Sequence, residues 1–313
     1  MAAPPPQPPS AGKDDSALAA TARNLGFAFG SIVPSQAVES VELGRIGLQQ
    51  GIVKTLGGDT DRERPKPTAD GLFAEDHPVR VVHGDAAMLI GGLRALLFQT
   101  LHPLAIAGVT EHSDYKHDPL GRLHRTGNFV GVTTYGSAAD ADRMIRMVRK
   151  IHTKVTGIAP DGRPYEANDP HLLNWVHCTE VDSFLTAYRQ YGADDLGRRQ
   201  RDAYVAGMAE IATRLGVDEP PRSETELAEQ LAAFRVELRA NAQSADTARW
   251  LLNPPLPAAA KTTYPLIAAA AITSLPPYAR KLLRLPALPL VEPLLIKPAA
   301  TALTRTLGWI LRP

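Results

Sequence analysis

Apolar residues return every three or four positions through most of this chain, and that spacing commits it to helices. The clearest case runs from Ser137 to Gly157, SAADADRMIRMVRKIHTKVTG, with Ser137 able to cap its start and Gly157 placed to end it. At ~100° per residue, Ala141, Met144, Ile145, Val148, Ile151 and Val155 share one face. Asp142, Arg143, Arg146, Arg149, Lys150, Thr153 and Lys154 share the other. His152 sits inside the apolar arc, where a leucine would pack. A titratable imidazole in that place needs a partner.

The same reading extends in both directions. Helical periodicity begins near Ser16 and continues through Ala37–Lys54 to Gly57 and Gly58, after which a charged, Pro-containing connector follows. Asp85 is positioned to cap the apolar run AAMLIGGLRALLFQTL, which His102 and Pro103 break; a second short helix runs from Pro103 to about Thr110. Gly91 and Gly92 inside the first run allow close approach of another backbone or of a flat ligand. Between Glu111 and Gly136 lies a polar segment with a helix expected from Thr126 to Tyr135, and IAPDGRPYEAND reads as a turn. Asp169 caps a long helix with Pro170 at its first position, ending at Gly192, with His177 and Glu180 within or beside its apolar arc. Further helices are expected around 195–215 and 224–240, the latter opened by the capping box of Ser223 and Glu226. Few stretches alternate as strands do, so the chain is expected to be all-α: a Pro-rich, solvated tail over residues 1–20 and one helical domain over residues 21–313.

Several functions are excluded early. Lys and Arg number 34 against 33 Asp and Glu, so bulk charge does not favour nucleic acid. The single Cys178 cannot form an internal disulfide and fits a reducing, cytoplasmic setting. Neither a signal peptide nor a run of about 18 apolar residues is visible. H-E-x-x-H, C-x-x-C, E-x-x-H, G-x-S-x-G and nucleotide-binding glycine motifs are all missing. Cys178 beside His177 points about 100° away from it on a helix, which suits a structural thiol better than a catalytic pair.

What remains is an inward His152, a second inward histidine at 177, and a polar segment carrying Arg122, His124, Arg125 and Thr126. A helix-borne neutral imidazole in an apolar pocket can hold haem iron, and arginines nearby can neutralise the propionates. A core histidine bonded to a carbonyl is the competing reading of His152.

A family resemblance favours the haem. HSDY from His112, DPLGRLHRT from Asp118, Tyr135 with Gly136, IHTKVTG from Ile151, DGRPY from Asp161 and DPHLLNWVH from Asp169 occur in order. This set resembles the family of the rubber oxygenase (latex-clearing protein) catalytic domain and the mycophenolic-acid-pathway oxygenase MpaB. The likeness is concentrated over about 85–192, with a weaker echo at LPPYAR from Leu275. It implies a globin-like core binding haem b, with His152 at the proximal, iron-ligating position. Arg122 and Thr126 match the family's R-x-x-x-T pair. Arg125 stands where rubber oxygenases carry a distal lysine; arginine ligates iron poorly, which implies an open or water-bound sixth position. Glu111 is the candidate distal acid/base group, and His177 is similar to a family histidine that supports packing or a propionate.

The expected activity is therefore that of a haem-dependent oxygenase using O₂ on a small hydrophobic, isoprenoid or otherwise olefinic substrate, with an electron donor that the sequence does not identify. The alternative is a non-catalytic haem or lipid carrier or sensor at a membrane surface. From Thr262 onward six Arg or Lys oppose one Glu in an apolar, Pro-punctuated segment with Trp309 near its end. That segment either wraps its own core or rests peripherally on lipid. His83, His112, His117 and His171 read as backbone- or solvent-bonded, and Tyr165 and Trp175 as packing aromatics.

Overall fold

Proline placed immediately after a capping side chain sets where the helices begin. The computed structural model describes residue 68, residues 70–256 and residues 258–311. The expected tail over 1–20 and the early helical periodicity lie outside the described residues. After α1 (Pro78–His83), the Asp85 carboxylate accepts from the Ala87 N–H at 2.7 Å and leads into α2 (Met88–Gln99). His102 and Pro103 then open α3 (Pro103–His112), bent 108° from α2. Asp118 caps α4 (Pro119–Tyr135) by accepting from Gly121 N–H at 2.9 Å. This helix starts seven residues before the expected Thr126. Ser137 caps α5 (Ala138–His152) as expected, through Asp140 N–H at 3.1 Å.

The end of α5 differs from expectation. The helix stops at His152, and Gly157 lies in strand β1 (Thr156–Ile158), which pairs antiparallel with β2 (Pro164–Glu166). Tyr165 is opposite Gly157, whose missing side chain leaves room for the phenol. Ile151, assigned to the apolar arc, is 53% exposed because the chain leaves the helix there and no neighbour covers the last turn.

Asp169 caps α6 (Pro170–Tyr191), which is buried almost all round and forms the axis of the fold. Helix α2 lies along it, and Gly91 marks the crossing: a Cβ there would stand 3.1 Å from the Phe184 Cα and 3.2 Å from the Ser183 carbonyl. Trp175 is fully buried and meets Phe98 edge-on at 5.3 Å. Burying such a side chain contributes about 1.5–3 kcal/mol. Arg94, 2% exposed, pairs with Asp182 at 2.7 Å and donates to Ser183 Oγ at 2.6 Å and the Ser274 carbonyl at 3.0 Å. Its charge is tolerated because every side of the guanidinium has an acceptor. Cys178 is buried, and burial pushes its thiol up to about 12, as suits a structural role.

The rest of the chain encloses this pair. Helix α7 (Arg198–Leu215) ends at Gly216, φ +113°, and packs on α6, α1 and α5. Ser223 caps α8 (Glu224–Phe234) through Glu226 N–H, whereas the Glu226 carboxylate accepts from Arg222 N–H, one residue outside the expected box. Helices α9 (Ala242–Leu252), α10 (Ala258–Lys261), α11 (Tyr264–Ser274) and α12 (Pro277–Leu282) follow. A π-helical turn (Glu292–Ile296) then feeds α13 (Lys297–Leu311). The C-terminal segment divides between the two readings. Helix α11 and one side of α13 join the core, while Leu290 and Leu294 are 75% and 69% exposed. No helix among the described residues is long and apolar enough to cross a membrane.

Candidate functional site

His152 ends α5 half-buried, and its Nδ1 is sealed from solvent with no hydrogen-bond partner among the described residues. Burial lowers its pKa, so the imidazole is neutral at physiological pH. An unpaired buried nitrogen costs about 1–3 kcal/mol, a cost that packing alone does not offset. The carbonyl partner that a core histidine would take is absent among the described residues.

Helix α6 offers a second group. His177 Nε2 is likewise buried without a partner, and burial pushes this imidazole down to about 4. Glu180, one turn on, is only partly covered, yet burial lifts its carboxyl to about 7. The space beside Glu180 faces Tyr204 of α7, whose phenol is raised by burial and then by the Glu180 charge. On the page of sequence Glu180 is merely inward-facing; its poise near neutrality comes from the tertiary fold.

Two helical layers frame that space. Helix α4 packs on α5 and α1, and α5 on α7, but among the described residues neither runs backbone-close along α2 or α6. A Cβ at Gly92 on α2, or at the exposed Gly127 on α4, would meet nothing within 4 Å. The Gly91 and Gly92 pair thus splits its two expected roles, one residue admitting a backbone and the other facing open space.

The α4 residues divide. Arg122 is half-buried, its guanidinium donates to Ser113 Oγ, and burial pulls its pKa down. It pairs with no carboxylate among the described residues, so it is free to meet an anion. Arg125 instead reaches Asp118 at 3.2 Å on the exposed side of the helix, and Thr126 is exposed as well. Glu111 lies at the end of α3, where its carboxylate accepts from the Tyr165 hydroxyl. Burial, then this bond, raises that phenol to about 12, and His112 Nε2 sits 3.1 Å from the same oxygen. Glu111 therefore borders an open cleft of about 410 Å³ that also includes Tyr115, Gln243 and Asp246.

His83 departs from its sequence reading. It is placed between side chains, with Nδ1 2.8 Å from Thr134 Oγ1 and Nε2 3.2 Å from the Tyr204 hydroxyl, and burial pushes it down to about 3. It ties α1 to α4 and α7.

Residues 80–311 match the family model described as ER-bound oxygenase mpaB/B'/Rubber oxygenase, catalytic domain. No curated protein and no solved structure matches the chain.

Proposed function

The chain belongs to the MpaB/rubber oxygenase catalytic-domain family, and on that premise we propose that it is a haem b-dependent oxygenase acting on a hydrophobic, olefinic substrate. The observation that carries the reading is His152: a neutral, half-buried imidazole at a helix end, whose buried Nδ1 has no hydrogen-bond partner among the described residues. The donor set fits the cofactor. His152 would ligate the iron, Arg122 would pair with a propionate, and the room left at Gly92 suits a flat macrocycle.

Bound haem supplies a redox-active iron at which O₂ is activated. The chain does the rest. His152 would hold the iron, and its lowered proton affinity keeps the imidazole available as a ligand across physiological pH. Arg125, paired with Asp118 on the exposed side of α4, would not compete with O₂ for the iron, since a guanidinium is a poor ligand. Glu180, poised near neutrality, can carry a proton at its carboxyl oxygen and give or accept it as the substrate is oxidised. Glu111, engaged with Tyr165, would need to release that phenol before serving the same role. Thr126 and His177 then act as polar groups at the pocket margin. The apolar helix faces exclude water and would hold an olefinic chain by burial alone.

The test is an absorption spectrum of the purified protein, oxidised and reduced, alone and after haem addition. A Soret band is expected in the wild type and is lost in His152→Ala, with helical circular dichroism unchanged. O₂ consumption with a polyisoprenoid substrate, yielding carbonyl products, then tests the oxygenase reading. Protein that stays colourless after haem addition would refute the assignment.

A second reading concerns location. Leu290, Leu294, Leu295 and Trp309 are exposed close in sequence to Lys297 and Arg305. That combination supports peripheral contact with an anionic lipid surface, from which a greasy substrate could be drawn.

A further inference from the structure

At the N-terminal end of α6, three side chains from distant parts of the chain converge without any packing reason to do so. His102 comes from the break between α2 and α3, His171 from the first turn of α6, and Glu237 from just beyond α8. Both Glu237 carboxylate oxygens face His171 Nε2, at 2.9 and 3.0 Å, and one lies 3.3 Å from His102 Nε2. One ligand atom from each residue falls within 4.8 Å of the other two. Two imidazole nitrogens aimed at a single carboxylate is the arrangement that metal ligands keep in the absence of their ion.

The supports are rigid. His102 is fully buried, and Glu237 is flanked by the Glu237 N–H to Phe234 carbonyl bond at 2.9 Å and the Arg239 N–H to Leu101 carbonyl bond at 2.9 Å. Phe234 covers His171 at 4.7 Å between ring centres, and Trp175 covers His102 at 6.0 Å. One side is open: the side chains of His171 and Glu237 keep 55% and 32% of their exposure.

We propose that His102, His171 and Glu237 bind a divalent first-row transition-metal ion, with coordination positions left open to solvent beside His171. The two nitrogen donors exclude magnesium and calcium, which take oxygen ligands, and favour zinc, ferrous or cobaltous ions. The site shares no residue with the haem reading, so the two stand or fall separately.

Two features oppose loading, and both are measurable. The His102 Nδ1 accepts from the Ala105 N–H at 3.5 Å, which puts the ring proton on Nε2. Coordination through Nε2 moves that proton to Nδ1 and gives up the bond, a small loss at so long a distance. Arg163 of the hairpin, paired with Asp161 at 2.8 Å, also places a positive charge near Glu237 and His102, which disfavours a cation there.

The full chain, stripped with a chelator, is titrated with Zn²⁺ by calorimetry and with Co²⁺ by visible absorption. One equivalent is expected to bind. Glu237→Gln and His171→Asn, both at partly exposed positions, should each weaken binding by at least ~100-fold, since even outer-shell partners cost 10–100-fold. Circular dichroism checks that the variants fold. Arg163→Ala should tighten binding, and His152→Ala should leave it unchanged. Absence of saturable binding, or binding that Glu237→Gln and His171→Asn leave intact, overturns the proposal. So does binding that disappears with His152→Ala.

Discussion

Substituting alanine at each of two adjacent glycines on α2 should move stability in opposite directions. In a helix interior, Gly→Ala gains about 1 kcal/mol from backbone entropy alone. At Gly92 nothing opposes that gain, because the new methyl meets nothing within 4 Å. At Gly91 the methyl would sit 2.8 Å from the Phe184 Cδ1, 3.1 Å from its Cα and 3.2 Å from the Ser183 carbonyl. The Phe184 ring is buried and two of the three contacts are backbone, so relief requires α2 and α6 to separate. Overpacking of this kind costs about 1–3 kcal/mol, which cancels or exceeds the propensity gain. Urea denaturation of the haem-free protein should therefore rank Gly92→Ala above wild type and Gly91→Ala below it. The same Gly92→Ala protein should hold haem less tightly, because its methyl enters the space assigned to the macrocycle. Equal stabilisation by both substitutions would refute the helix crossing. Stabilisation by Gly92→Ala with unchanged haem retention would refute the slot.

Other outcomes follow from single residues. Glu180 binds its proton more tightly when folded, about 7 against the ordinary 4.5, so stability should fall as pH rises through that window and level off above it. Glu180→Gln should remove the slope and raise the urea midpoint at about pH 8. Ser137→Ala deletes the cap of α5 and should cost about 1 kcal/mol in thermal or urea unfolding. Leu294→Glu with Leu295→Glu should abolish flotation with anionic vesicles while leaving the Soret band in place. Unchanged flotation would remove lipid from the list of partners.

The same two letters were legible once and illegible once. Asp169 and Pro170 announce α6 because Leu172, Leu173 and Val176 follow at helical spacing. Asp118 and Pro119 start α4 by the same chemistry, yet the sequence marks a helix there only from Thr126. The cause is that residues 123–128 are exposed, so no apolar stripe follows the cap to mark the helix. His152 was legible because it interrupts a stripe, and its lack of a partner agrees with that oddity. Its helix end was not, since Gly157 looks like a C-cap and serves a strand instead. The cluster of His102, His171 and Glu237 could not be read at all. Its members have no common spacing, and only the 108° bend at His102 and the close of α8 bring them together.

Thr304 on α13 donates through its buried hydroxyl to the carbonyl of Tyr191, the last residue of α6, at 2.6 Å. The Tyr191 hydroxyl meanwhile reaches Thr273 and the Ala270 carbonyl on α11. The far end of the central helix is thus stoppered by residues 79 to 113 positions downstream. A fragment cut after Gly192 would leave that end bare and Arg94 short of its Ser274 acceptor. The family match likewise runs past that contact, to residue 311. The shortest piece that can be expected to stand alone runs past Thr304.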